Sequence, residues 1–137
     1  MAPAFEKAEY DHRLARVRSE MEVRGLTALV IGDPANINWL TGYDAWSFYT
    51  PQMMLVGLSG GPWWMGRMMD AGAAKFTSWL SDDQVVAYPE TLVQRPDKHP
   101  MEWLAGWMRD NGFATARIGF ESDSYFPVSY THLTLPT

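Results

Sequence analysis

Cysteine is absent from the sequence, which excludes disulfides, thiolate catalysis and cysteine-ligated zinc and suits a cytoplasmic protein. No run of lysine or arginine occurs, and the formal net charge is -5. Nucleic-acid binding needs a basic stripe to neutralise phosphates, so it is not expected. Long hydrophobic runs are missing as well. Stretches such as Ala28 to Ile31 fall far short of the roughly 20 apolar residues that span a bilayer, so no membrane partner is expected. The opening Met1-Ala2-Pro3-Ala4-Phe5-Glu6 carries no basic segment followed by an apolar one, and no secretory signal is read there.

What is present is the make-up of a folded domain. Hydrophobic residues form 47% of the 137 and charged residues 20%, which is wrong for disorder and enough for one sizeable core. Aromatics are abundant at 14%, with seven Trp. Either the core is unusually aromatic or part of the surface meets a partner.

Along the chain, Tyr10, Leu14, Val17 and Met21 recur at helical spacing and predict an amphipathic helix from Phe5 to Arg24. Arg13, Arg16, Arg18, Glu20 and Glu22 fall mostly off that stripe and read as a solvated face, with Gly25 as the C-cap. Leu26 to Ile31 reads as a strand buried on both faces. Asp33-Pro34 is a helix start, with an acceptor at the cap and proline in the first turn. It opens a short helix over 35–40, closed by Thr41-Gly42. Met53 to Leu58 and Pro62 to Met68 read as strands joined at Ser59-Gly60-Gly61. Asp70 is assigned as the cap of a helix over 71–80, with Phe76 and Trp79 on one side. Gln84 to Tyr88 reads as a strand, 90–100 as a loop, Met101 to Asn111 as a helix ending at Gly112, and Arg117 to Glu121 as a last strand. The fold class is α/β, a mixed β-sheet flanked by helices on both faces.

No catalytic constellation stands out. His12, His99 and His132 are far apart and form no HExxH-type pair, so metal ligation by them is not expected. His99 reads as a loop residue that orders the next helix, and Asp82-Asp83 as a turn cap rather than an acid/base dyad. There is no GxSxG elbow, and Gly60-Gly61 lacks the length and lysine of a phosphate loop. In Tyr43 to Tyr49, Trp46 and Phe48 alternate with Ala45 and Ser47, which fits core residues on one strand face. The rings fit equally at a site rim, where they would exclude water from a small cationic or zwitterionic substrate. Arg67 and Asp70 read either as a structural ion pair or cap, or as a substrate contact in which Arg67 grips a carboxylate with its planar fork.

Two segments carry a family resemblance. Asp33-Pro34-Ala35-Asn36-Ile37-Asn38-Trp39-Leu40-Thr41-Gly42-Tyr43 resembles the signature that follows the first strand in N-terminal domains of the creatinase, prolidase and Xaa-Pro aminopeptidase family. The preceding helix and the closing Ile118-Gly119-Phe120-Glu121 sit where that family has them, so the resemblance spans residues 5–126. The second segment comprises Tyr43 to Tyr49, Trp63 to Asp70 and His99-Pro100-Met101, and it is similar to the ectoine hydrolase branch. Creatinases place an arginine shortly after the aromatic that follows [ST]-G. Phe48 is followed instead by Tyr49-Thr50-Pro51-Gln52, which speaks against creatine as substrate.

The resemblance implies a non-catalytic N-terminal domain over 1–127 of a two-domain hydrolase of C–N bonds, usually a homodimer. The catalytic domain, absent from this chain, would hold two Asp, one His and two Glu around a pair of divalent metal ions, creatinase being a metal-free exception. Cofactors are therefore expected in that missing domain and none in this chain. The partners implied are the missing C-terminal domain and a second subunit, whose active site the N-terminal domain closes. In that setting Tyr43, Trp46, Phe48, Arg67 and Asp70 are substrate-rim or dimer-contact candidates. Residues 128–137 lack helical periodicity and are read as a non-native or truncated tail. Two other readings stay open, a free-standing binding domain and the N-terminal domain of a proline-specific aminopeptidase.

Overall fold

The computed structural model describes residues 2–47 and 50–122. The tail from 128 and the candidate Phe48 lie outside the described residues. Five strands form one sheet: β1 (Ala28–Ile31), β2 (Met53–Gly57), β3 (Trp63–Arg67), β4 (Val85–Tyr88) and β5 (Ile118–Phe120), in the order β4-β3-β2-β1-β5. The pairs β1/β2 and β2/β3 are antiparallel, while β3/β4 and β1/β5 are parallel. Four α-helices cover the sheet: α1 (Lys7–Val23), α2 (Pro34–Thr41), α3 (Met68–Thr77) and α4 (Pro100–Met108). None of the described helices is long and apolar enough to cross a membrane.

The mixed sheet covered on both faces follows from where the apolar residues sit. On one face Leu14 and Met21 of α1, Ile37 and Leu40 of α2 and Ala74 of α3 pack on Ile31, Met54, Val56 and Trp64. On the other, Leu104 and Met108 of α4 pack on Ala28, Met53, Leu55 and Met65. All five residues of β2 are buried, so its sequence, MMLVG, is a continuous apolar run rather than an alternation. Burying each large apolar side chain contributes about 1.5–3 kcal/mol, so the two layers supply most of what opposes chain entropy. Trp63 and Trp64 point to opposite faces, as neighbours in a strand must. Trp64 belongs to the first layer, whereas Trp63 meets Trp107 and Phe113 in the second at 5.6 and 5.7 Å between ring centres.

Local signals placed several elements correctly. Asp33 caps α2, accepting from the N–H groups of Ala35 and Asn36, and Gly42 ends it with φ 81°. Any side chain at position 42 would adopt a left-handed backbone and meet Pro3 Cβ at 2.8 Å, which is why glycine stands there. His99 caps α4, its Nδ1 accepting from Met101 N–H at 3.1 Å.

Four expectations are corrected. Arg13 and Arg18 are only partly solvated. The Arg13 guanidinium lies 4.6 Å from the centre of the Phe5 ring and 5.1 Å from that of Trp39, and Nη1 donates to Trp39 O at 2.7 Å. Arg18 donates through Nε to Gly57 O at 2.9 Å and through Nη2 to Gly60 O, fastening α1 to the β2–β3 turn. Burial lowers the Arg18 pKa, but a guanidinium stays protonated at ordinary pH. Long basic stems bury readily while their polar heads find carbonyls, so a charge pattern alone misplaces them. Next, α3 starts at Met68, so Asp70 sits in its first turn rather than at the cap. The helix ends at Thr77, and Phe76 faces outward. Finally, residues 42–47 form no strand. Trp46 is an exposed large hydrophobic there, so it is not a core residue on a strand face.

Candidate functional site

The carboxyl end of β3 and the first turn of α3 bring Arg67 and Asp70 together. Arg67 Nε donates to Asp70 Oδ2 at 3.0 Å, with side-chain exposures of only 15% and 18%. Gln52, just before β2, donates from Nε2 to the same oxygen at 3.0 Å. Its Oε1 accepts from the Tyr43 hydroxyl, also at 3.0 Å. The carboxylate lies in the first turn of a helix, where the backbone dipole favours negative charge. A second carboxylate completes that helix start, because Glu90 Oε1 accepts from Met69 N–H at 2.8 Å.

Tyr43 is 2% exposed, and its ring packs on Trp64 at 5.4 Å between centres. Burial raises its pKa above the ordinary phenol value, Asp70 adds to the shift, and the hydrogen bond with Gln52 opposes it. Tyr88 is raised in the same way, first by burial and then by Asp70. Its hydroxyl donates to Pro51 O at 2.7 Å, closing the wall behind Gln52. Of the five sequence candidates, three are thus brought into one connected network: Tyr43, Arg67 and Asp70. Gln52, Tyr88 and Glu90 were missed. The one available signal for Gln52 was a polar side chain abutting the apolar run of β2.

Trp46 stands apart from the network. It is 43% exposed and lines an open depression of about 390 Å³ with Pro34, Ala35, Asn38, Tyr43, Asp44 and Ala45. Asn38 Nδ2 donates to Tyr43 O at 3.0 Å, and Asp44 N–H donates to Thr77 Oγ1 at 3.2 Å. The depression therefore has fixed ends on α2 and α3. An indole beside a carboxylate in a shallow site suits a small delocalised cation.

Among the described residues no group of three or more His, Cys, Asp and Glu is arranged to hold a metal ion. The resemblance places the pair of divalent metals in the catalytic domain rather than on these residues. The network instead gives a stiff wall. Asp70 Oδ2 accepts two internal donors, so the carboxylate fixes its neighbours rather than standing ready as a base.

Comparison with known proteins bears on the family and the fold. The model of the creatinase/prolidase N-terminal domain matches residues 13–135. Ectoine hydrolase of Halomonas elongata is 49% identical over 123 residues, covering 89% of this chain and 31% of that protein. An uncharacterized hydrolase/peptidase of Sinorhizobium fredii is 37% identical over 132 residues, covering 96% of this chain and 34% of that protein. The chain thus spans about a third of the length of these relatives. Among solved structures, the creatinase/prolidase N-terminal domain of an X-Pro dipeptidase from Streptococcus pyogenes superposes with a TM-score of 0.68 at 18% identity. That match covers 89% of this chain and 85% of the other, and it speaks to the fold alone. By the family model and by the ectoine hydrolase homologue, this chain belongs to the creatinase/prolidase N-terminal domain family.

Proposed function

We propose that the chain is the non-catalytic N-terminal domain of an ectoine-hydrolase-type enzyme of C–N bonds in the cytoplasm, where it helps assemble a homodimer and closes the substrate site. The observation that carries this reading is the 49% identity to ectoine hydrolase over nearly the whole chain. In the proposal, a water activated in the catalytic domain attacks an amide or amidine-like carbon. The residues of this chain bind and orient. Arg67, held by Asp70, meets the substrate carboxylate. Trp46, with the candidate Phe48, excludes water from the charged substrate. Tyr43 and Gln52 keep Arg67 and Asp70 in register from behind, which is a positioning role.

The test is to express the longer reading frame that carries this chain and compare hydrolysis of ectoine with that of Xaa-Pro dipeptides. Ectoine cleavage supports the proposal. Cleavage of the dipeptides alone overturns the substrate class and favours a proline-specific aminopeptidase. A frame without a catalytic half overturns the domain role and leaves a binding domain.

A further inference from the structure

The outward arc of α3 is the least expected surface of the molecule. Met68 is 59% exposed, Met69 71% and Phe76 72%. With exposed Gly72 and Lys75, they fall within about 120° of the helix circumference at 100° per residue. A helix covering a sheet normally turns charged and polar residues to solvent, yet this arc holds one charge. Gly72 lies near its middle. A Cβ built there meets nothing within 4 Å, and its φ is not left-handed. Glycine weakens a helix interior relative to alanine, and nothing within the domain requires it at this position. A glycine notch between a phenyl ring and two thioethers is the surface of a helix that another body approaches closely.

The arc is rigid before anything docks. Its first turn is fixed by the Arg67–Asp70–Gln52 network and by Glu90 on Met69 N–H. Its last turn is fixed by Thr77 Oγ1, which donates to Ala73 O at 2.8 Å and accepts from Asp44 N–H. Fixed side-chain supports lower the ordering cost of association.

The area argues for the occupant. Three large side chains of roughly 200 Å² each, about two-thirds exposed, offer on the order of 400 Å². That is about half of the ~800 Å² per partner of a stable free-standing interface. A second copy seated on this arc alone falls short, whereas a covalently tethered domain at millimolar effective concentration needs no more. The curated relatives run to about three times the length of this chain, so most of such a protein lies outside it. We infer that the Met68–Met69–Gly72–Phe76 arc of α3 is the docking face for the remainder of the longer hydrolase, seated against the Gly72 notch. This inference rests on the proposed N-terminal-domain role and adds the surface through which that role is exercised.

The experiment is thioether footprinting. Hydrogen peroxide transfers one oxygen to each accessible methionine sulfur, giving sulfoxide and water, and peptide mass spectrometry reads the rate at each site. In this chain alone Met68 and Met69 oxidise rapidly while buried Met54 does not. In the longer protein both slow at least tenfold, and Phe76→Glu restores their rates there without changing the thermal midpoint of this chain. Equal rates in the two proteins overturn the inference. Protection that appears in this chain alone as its concentration rises also overturns it, by making a second copy the occupant. The readout is independent of substrate: slow oxidation with dipeptide cleavage removes the ectoine reading and keeps this one, and the reverse result does the opposite.

Discussion

Gln52 and Arg67 donate to the same oxygen of Asp70, each at 3.0 Å, from the two strands at the open end of the β2–β3 hairpin. Gln52 also accepts from Tyr43, so it satisfies two buried groups at once. Replacing Gln52 with Leu leaves the Tyr43 hydroxyl and the Asp70 carboxylate each short of a partner. Leaving buried polar groups unpaired costs about 1–3 kcal/mol each. Urea denaturation of Gln52→Leu should show a loss in that range or above. A change below the error of the midpoint would remove the network from the account.

Alkaline pH should loosen this wall. The folded-state pKa values of Tyr43 and Tyr88 are raised above 10, by burial first and by Asp70 second. The neutral phenols therefore favour the native state fully below about pH 10, the unfolded value. That contribution is lost as pH climbs from there through the folded values, at up to about 1.4 kcal/mol per pH unit per group. Tyr43→Phe with Tyr88→Phe should flatten the fall of stability above pH 10, whatever it does to the baseline. Parallel curves for the two proteins would reassign the alkaline loss to other groups.

Glu121 is the predicted keystone of the opposite sheet edge. Its Oε2 accepts from the N–H groups of Gly32 and Asp33 at 2.8 and 2.7 Å, and Oε1 accepts from Asn36 Nδ2 at 2.5 Å. Hydrogen bonds to a charged acceptor are worth more than neutral ones, about 1.5–3 kcal/mol. Glu121→Ala should cost at least about 2 kcal/mol, with faster amide exchange at Gly32 and Asp33. Unchanged exchange at those two amides would count against the clamp.

Gly66→Ala tests packing under the site. A Cβ there would overlap Trp64 Cη2 and stand 2.6 Å from Cζ2, and Trp64 is completely buried. Overfilling of this kind costs about 1–3 kcal/mol. A thermal midpoint at or above that of the parent would mean the indole shifts freely.

Trp46→Ala separates function from folding. The ring is partly exposed, so stability should change by about 1 kcal/mol or less. In the longer hydrolase KM for a cationic or zwitterionic substrate should rise several-fold with kcat little changed. An unaltered KM would strip Trp46 of its place at the rim.

Local chemistry made much of the fold legible. The Tyr10–Leu14–Met21 stripe, the Asp33-Pro34 start of α2 and the continuous apolar β2 are each written within a few residues, and the structure reproduces them. The strand order is not local, since the β1/β5 pairing joins residues some 90 positions apart. Arg67 and Asp70 were found because they are three residues apart on one turn. Gln52 was not, since its partner lies 18 positions away. Arg13 and Arg18 were misassigned for a different reason: a helical pattern sorts residues by charge, whereas these stems are sorted by the rings and carbonyls they reach.

The parallel pairing of β5 with β1 has a consequence for synthesis on the ribosome. The edge of β1 waits for a strand made about 90 residues later, and Glu121 then locks the Gly32–Asp33 turn from the far end of that strand. Such long loop closures slow folding. The nascent chain therefore carries an unpaired β1 edge until residue 121 has cleared the exit tunnel, and a pause before that point prolongs its exposure to a chaperone or to a neighbouring chain.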